Sequence, residues 1–296
     1  MAPDILLLGA NGQVGWELRR SLAPVGRLTA LGRAELDVSV LDDVVRTIRA
    51  AKPSIIVNAA AYTAVDQAEE EQEKAFRVNA ALPEVLAGEA KCSGALLVDY
   101  STDYVFDGTL DRPYTEMDPT NPLSTYGCSK LAGLRAIEAS GCRYLVFRVS
   151  WVYGTRGPNF VRSILRLARQ RTGLRVVADQ VGSLTPADLI ADVTAQVIMA
   201  QTRGQGADGT YHLAPRGQTS WYGVAHAIVA EARRLGEPLK LSEEGIQPVT
   251  SDEYPASARR PANSVLDTGK LRAAYRVHLP AWEESLPRLL SELMDR

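Results

Sequence analysis

Tyr126 and Lys130 stand four residues apart in the stretch "YGCSK", and no other Tyr-x-x-x-Lys pair occurs in the chain. On a helix this spacing puts both side chains on one face, one turn apart. Reducing a ketone takes a hydride on carbon and a proton on oxygen. Tyrosine can give that proton, and a neighbouring ammonium lowers its reference pKa of about 10. Lys130 is therefore expected to lower the pKa of Tyr126 and to bind the ribose of a nicotinamide cofactor. Thr102 ends the upstream run "LLVDYST" and is expected to donate a hydrogen bond to the oxygen as charge develops there. Alone, Tyr126 and Lys130 read as a solvated helix face. A hydride source elsewhere in the chain changes that reading.

Residues 9 to 15 read "GANGQVG", with Gly9, Gly12 and Gly15 after a short apolar run and before a helical pattern. Glycines there let the backbone turn tightly and approach a pyrophosphate at a helix N-terminus. The spacing is GxxGxxG, and a dinucleotide is the expected ligand. NAD binders place an acid near the end of the second strand, to accept from the ribose 2′-hydroxyl. Here "TALGRAELD" puts Arg33 at that point, which suits the 2′-phosphate of NADPH, with NADH use left open. Asp37 and Val38 follow and are expected to line the adenine.

These residues need a scaffold to bring them together. Short apolar runs alternate with helical patterns through the first half of the chain. Strands are expected at Ile5–Leu8, Arg27–Leu31, Ser54–Asn58, Leu96–Tyr100 and Tyr144–Val149. A helix is expected from about Gln13 until before Pro24. Another should run from Leu41 to Ala51, capped by Ser39. A helical stretch from about Asp66 to Ala90 should break near Pro83, and one more helix should start near Thr125. This alternation, with continuous apolar strands, reads as an α/β fold: a Rossmann-type doubly wound parallel sheet covered on both faces. Beyond about Trp151 the chain is loopier, with helices expected at Asn159–Gln170, Asp188–Gln201, Trp221–Leu235 and after Pro280. That region should close over the carboxyl edge of the sheet, where ligands of such folds bind.

Composition narrows the class. The chain has 296 residues, 46% of them hydrophobic, and a net charge of -2, so nothing points to nucleic acid. The opening apolar run is too short for a membrane span or a signal peptide, and a soluble cytoplasmic protein is expected. Three cysteines without CxxC spacing argue against a disulfide framework or a zinc site, and Cys128 is expected to be a small packing residue. Three scattered histidines make a histidine-centred mechanism a poor fit.

The blocks "GQVGWEL", "AAAYTAVDQAE", "STDYVFDG", "SWVYG", "DQVGSLTP" and "RPANSVLDT" resemble the extended short-chain dehydrogenase/reductases and, more narrowly, the dTDP-4-dehydrorhamnose reductases. The resemblance covers nearly the whole chain. It implies a Rossmann domain over residues 1–150 with a returning segment at about 186–214, and a sugar-nucleotide domain over 151–185 and 215–296. It also implies NADPH-dependent reduction of the 4-keto group of dTDP-4-dehydro-β-L-rhamnose, with Tyr126 as proton donor, Lys130 orienting the ribose and Thr102 holding the keto oxygen. Cofactor contacts are implied at Gly9, Asn11, Gln13, Val14, Asp37, Ala59, Ala60, Ala61, Tyr62 and Asn79. Asp103, Tyr104, Trp151, Asn159, Phe160, Gln180, Arg260 and Asn263 become candidates for the sugar nucleotide. Among these, Trp151 offers an aromatic surface and Arg260 a partner for pyrophosphate. Some members join as homodimers through Mg²⁺ held by carboxylates, and the matching positions are Glu17, Asp188 and Glu292.

The sequence also admits two other readings. One is another sugar-nucleotide enzyme on the same scaffold. A dehydratase would carry an Asp-Glu pair after the threonine, where this chain has Asp103 and Tyr104. A 4-epimerase would hold its NAD tightly, which Arg33 argues against. The other reading is a non-catalytic NAD(P)-binding regulatory subunit, which retention of Thr102, Tyr126 and Lys130 disfavours.

Overall fold

Strand β1 (Asp4–Leu8) alternates its side chains between two buried faces, and this decides the architecture. Ile5 and Leu7 pack with Leu18 and Leu22, while Leu6 and Leu8 pack with Val44 and Ile48. A strand buried on both faces belongs inside a sheet covered by helices on each side. The computed structural model describes residues 2–294. After β1 come α1 (Gln13–Leu22), β2 (Arg27–Leu31), α2 (Leu41–Ala51) and β3 (Ile55–Asn58). Then follow α3 (Gln72–Phe76), α4 (Leu82–Ser93), β4 (Leu96–Thr102), α5 (Thr125–Ser140) and β5 (Arg143–Val149).

The later part contributes β6 (Val152–Tyr153), α6 (Phe160–Gln170), β7 (Leu174–Val177), β8 (Val181–Gly182), β9 (Thr185–Pro186) and α7 (Ala187–Thr202). It continues with β10 (Gly209–Leu213), β11 (Thr219–Ser220), α8 (Trp221–Arg234), β12 (Ile246–Val249), α9 (Gly269–Tyr275) and α10 (Trp282–Met294). Six strands form one parallel sheet in the order β2-β1-β3-β4-β5-β10, as expected for a doubly wound fold. The winding reverses between β1 and β3, so a crevice opens at their carboxyl ends.

Helix α7 returns to cover the α1 side, where Ile190, Ala191 and Val197 join Leu18 and Leu22. A third hydrophobic cluster lies in the later part, where Tyr153, Ile164, Val176, Ile228, Trp282 and Leu289 pack together. Its short strand pairs, β6 with β9 and β8 with β11, have two residues per strand and leave no periodic trace in the sequence. No helix among the described residues is long and apolar enough to cross a membrane.

Local expectations fail at three places for identifiable reasons. Ser39 does not cap α2: its hydroxyl and amide both donate to Asp37 Oδ1, at 2.8 and 2.9 Å, and Val40 takes the cap position. The helical stretch does not break at Pro83. A π-turn over Arg77–Ala81 runs directly into α4, so the α-helical hydrogen-bond pattern is already interrupted just before Pro83, the second residue of α4. Cys128 is exposed rather than packed.

Candidate active site

The crevice at the switch point is a cleft of about 590 Å³. The glycine loop forms one end of it. Gly9 has φ +74, and a Cβ there would fall 2.6 Å from the Ala60 amide nitrogen. A Cβ on Gly15 would fall 2.1 Å from the Gly9 carbonyl. The two glycines therefore let α1 press against β1, with the β3 end alongside. Gly12 is the N-cap of α1 and offers no side chain to its first turn. The amides of that turn are thus available to an anion, with the helix dipole favouring negative charge. Gly12, Gln13, Val14, Ala59, Ala60 and Ala61 all line the cleft.

Thr102, Tyr126 and Lys130 line the same cleft. Helix α5 is fixed at the turn that carries Tyr126. Ser124 caps it by accepting from the Gly127 amide at 3.2 Å. Both oxygens of Glu69 hold Thr125, through its amide and its hydroxyl, each at 2.9 Å. Ser129 donates to the Tyr126 carbonyl at 2.8 Å and accepts from Asn79 at 3.0 Å. Gly127 allows the helix start to sit on the Tyr104 backbone, since a Cβ there would lie 2.4 Å from its carbonyl oxygen. Tyr104 and Tyr126 then meet edge to face at 6.0 Å.

The electrostatics differ from the sequence expectation. Burial pushes the Tyr126 phenol up to about 12, a hydrogen bond with Thr102 opposes that shift, and the charge of Asp103 adds to it. Lys130, one turn further along α5, has its ammonium 3.9 Å from the buried carboxylate of Asp99. A phenol that stays protonated at neutral pH is the form a ketone reduction needs. Burial also raises Asp103, to about 6, although Thr102 and Ser150 both donate to it, at 3.0 and 2.9 Å. The Ser101 hydroxyl is buried in the same wall and has no hydrogen-bond partner among the described residues.

The later part of the chain closes the cleft with aromatic rings. Trp151 stacks on Trp221 with centroids 3.6 Å apart, and Phe160 tilts against Trp221 at 4.6 Å. Trp151 has φ +43, a strained value for a residue with a side chain. Gly182 makes room for its ring, since a Cβ there would lie 2.5 Å from Trp151 Cε2. The Trp221 indole donates to Gln180 at 3.2 Å, and Gln180 donates to Ser251 at 3.0 Å. A second cavity of about 680 Å³ adjoins the first, sharing Phe160, Trp221 and Arg260. Arg260 grips Asp66 through two nitrogens, at 2.6 and 3.1 Å.

Several expected contact residues also make hydrogen bonds within the chain. Asn79 accepts from the Tyr62 amide and donates to the Tyr62 carbonyl, both at 2.9 Å, so it clamps the loop beside the cleft. The Tyr62 hydroxyl donates to Glu71 at 2.8 Å. Asn263 donates to the carbonyls of Leu110 and Arg112 and accepts from the Val265 amide. Asn159 caps α6 and donates to Gln13 at 2.9 Å, which ties the later part to the glycine loop. Arg33 is exposed at the end of β2, while Asn11 packs against Gly32. Val38 packs in the core at its edge, and Asp37 is held by Ser39.

The three acidic residues expected at a metal have basic partners within the chain. Arg288 forms ion pairs with Asp188 and with Glu292, and Glu17 pairs with Arg20 at 3.4 Å. Among the described residues no group of three His, Cys, Asp or Glu could hold a metal ion. Sequence reasoning missed Asp66, Glu69, Asp99 and Trp221. Of these, Trp221 alone left a signal, as a tryptophan opening a helix in the region expected to close the site.

The chain is similar to known proteins over nearly its whole length. The family model described as the RmlD substrate binding domain matches residues 3–294. The dTDP-4-dehydrorhamnose reductase of Burkholderia thailandensis is 46% identical over 296 residues, covering 99% of each chain. That of Escherichia coli K12 is 45% identical over 294 residues, covering 98% of each. The crystal structure of the Bacillus anthracis reductase in complex with NADP superimposes with a TM-score of 0.90 at 34% identity, covering 99% of this chain and 100% of that one. A UDP-glucose 4-epimerase from Thermus thermophilus shares the fold alone, at 18% identity and a TM-score of 0.77. With a match to this family over nearly all its length, the chain belongs to the dTDP-4-dehydrorhamnose reductases.

Proposed function

We propose that this enzyme reduces the 4-keto group of dTDP-4-dehydro-β-L-rhamnose to give dTDP-L-rhamnose, using NADPH. The observation that carries the reading is the convergence of Thr102, Tyr126 and Lys130 in one cleft that the glycine loop also lines. The residues present fit a dinucleotide, because Gly9 and Gly15 leave a close cradle beside the uncapped first turn of α1. When bound, NADPH supplies the hydride.

The protein's own groups do the rest. Tyr126 gives its phenolic proton to the substrate oxygen, and Thr102 beside it steadies that oxygen as charge develops. Lys130 binds the ribose and stabilises the phenolate left on Tyr126. The stacked Trp151 and Trp221 cover the sugar and exclude water. Arg260 meets the substrate diphosphate between the two cavities, and Gln180 orients the ring of Trp221.

Residues 1–150 with 186–214 then form the cofactor half, and 151–185 with 215–296 the sugar-nucleotide half. Arg33 favours NADPH by contact with its 2′-phosphate. The protein acts in the cytoplasm, as a homodimer.

Replacing Tyr126 with phenylalanine tests the reading. Turnover of NADPH with the 4-keto sugar nucleotide is expected to fall by roughly 10²- to 10⁴-fold while NADPH still binds. Unchanged turnover would remove Tyr126 from the proton-donor role.

A further inference from the structure

Lys130 is only 4% exposed, and a lone ammonium at that depth loses its charge readily. Asp99 on β4 is equally deep, at 3%, and its Oδ1 lies 3.9 Å from Lys130 Nζ. The carboxylate is itself held: Asn58 donates to Oδ2 at 2.7 Å, and the Tyr100 amide also bonds to it. Asn58 accepts in turn from the Ala60 amide at 3.2 Å. The contacts thus run from Ala60, which faces Gly9 in the cleft wall, through Asn58 and Asp99 to Lys130. Burial pushes Asp99 up and Lys130 down, and the charge of each opposes the shift of the other.

We propose that Asp99 is a positioning residue for Lys130: anchored by Asn58, it keeps the ammonium charged and aimed at the cofactor ribose. The inference rests on Lys130 being the ribose ligand. The separation matters. At 3.9 Å the two groups attract each other without a short hydrogen bond, so the three ammonium donors stay available to ribose and to Tyr126. Other titratable groups stand in the same wall: Tyr126 on α5, and Asp103 and Tyr104 after β4. From β3 the facing group is the neutral amide of Asn58. Asp99 is the carboxylate within ion-pair distance of Lys130 among the described residues.

The test removes the phenol from the readout. In a Tyr126→Phe background, NADPH affinity is measured against pH with and without Asp99→Asn. Affinity is expected to fall as Lys130 loses its proton, and Asp99→Asn should move that fall to lower pH by about one unit or more. Asp99→Glu should restore the midpoint toward that of the parent, because it returns a negative charge. Asp99→Ser serves in the same way if the asparagine variant does not fold. Coincident midpoints with Asp99 and with either neutral residue would overturn the proposal. Lys130→Met is the control for the underlying reading: unchanged NADPH affinity in that variant means that Lys130 does not bind ribose, whatever Asp99 does.

Discussion

Thr102 gives its one hydroxyl proton to Asp103 Oδ1, 3.0 Å away, and takes one from the Tyr104 amide at 3.2 Å. In this arrangement Thr102 meets Tyr126 as an acceptor, and it can donate to a substrate oxygen only by turning from Asp103. The carboxyl of Asp103 therefore sets which way the threonine faces. It also carries a stability consequence, because it is fully enclosed.

The Asp103 carboxyl lies at about 6, against an ordinary 3.8. Because the folded value is raised, its stabilising contribution is fully present below the ordinary value and is lost as pH rises through about 6. Two units correspond to about 3 kcal/mol. Asp103→Asn cannot titrate, so its stability relative to the wild type should improve by that order between pH 4 and pH 7, as read from paired thermal melts. A difference that stays constant with pH would refute the assignment.

Trp221 should carry affinity rather than chemistry. Its ring stacks on Trp151 and touches both cavities, but it lies outside the Thr102–Tyr126–Lys130 group. Trp221→Ala removes the stack and leaves Trp151 without a partner. The KM for the sugar nucleotide should rise about 10-fold, the scale of a lost aromatic pair with some buried area, while NADPH affinity holds. Steady-state kinetics at saturating NADPH check this, and an unchanged KM would place the sugar nucleotide elsewhere.

Coenzyme choice should turn on Arg33, with Glu35 as a counterweight. Arg33 is exposed at the end of β2, and the Glu35 carboxylate sits close by, accepting from the Gly32 amide at 2.9 Å. A carboxylate there disfavours a 2′-phosphate, and the guanidinium favours it. Arg33→Ala should lower the kcat/KM ratio of NADPH to NADH by roughly 10-fold, and Glu35→Gln should raise it. Equal ratios in wild type and both variants would exclude this pair from coenzyme selection.

How much of this was legible in the sequence follows from the range of each interaction. Gly9 to Gly15 and Tyr126 to Lys130 act within a turn or two of the chain, so spacing alone exposes them, and apolar runs such as "SIIVN" disclose the strands that align them. Asp66, Asp99 and Trp221 gain meaning only from partners such as Arg260, Lys130 and Trp151, which the fold brings from 31 to 194 residues away. The raised pKa of Tyr126 is hidden for the same reason, since it comes from burial beside Thr102 and Asp103, which the fold supplies from another element. Nothing local reveals that Asn79 and Asn263 also bond to backbone groups of distant segments.

The guanidinium fork of Arg260 is already occupied. Two of its nitrogens hold Asp66, and the pair stands where the two cavities join. The same planar fork suits a diphosphate, so substrate and Asp66 compete for it. Arg260→Lys keeps the charge but loses the two-point grip, and the KM for the sugar nucleotide should rise about 10-fold or more. Asp66→Asn leaves the fork intact and weakens its competitor, so that variant should lower KM by a few-fold. Opposite shifts in the two variants, with NADPH affinity steady in both, are the expected signature. Parallel increases would mean that Asp66 orients Arg260 for the substrate instead of competing with it, and no change in either would take the diphosphate away from Arg260.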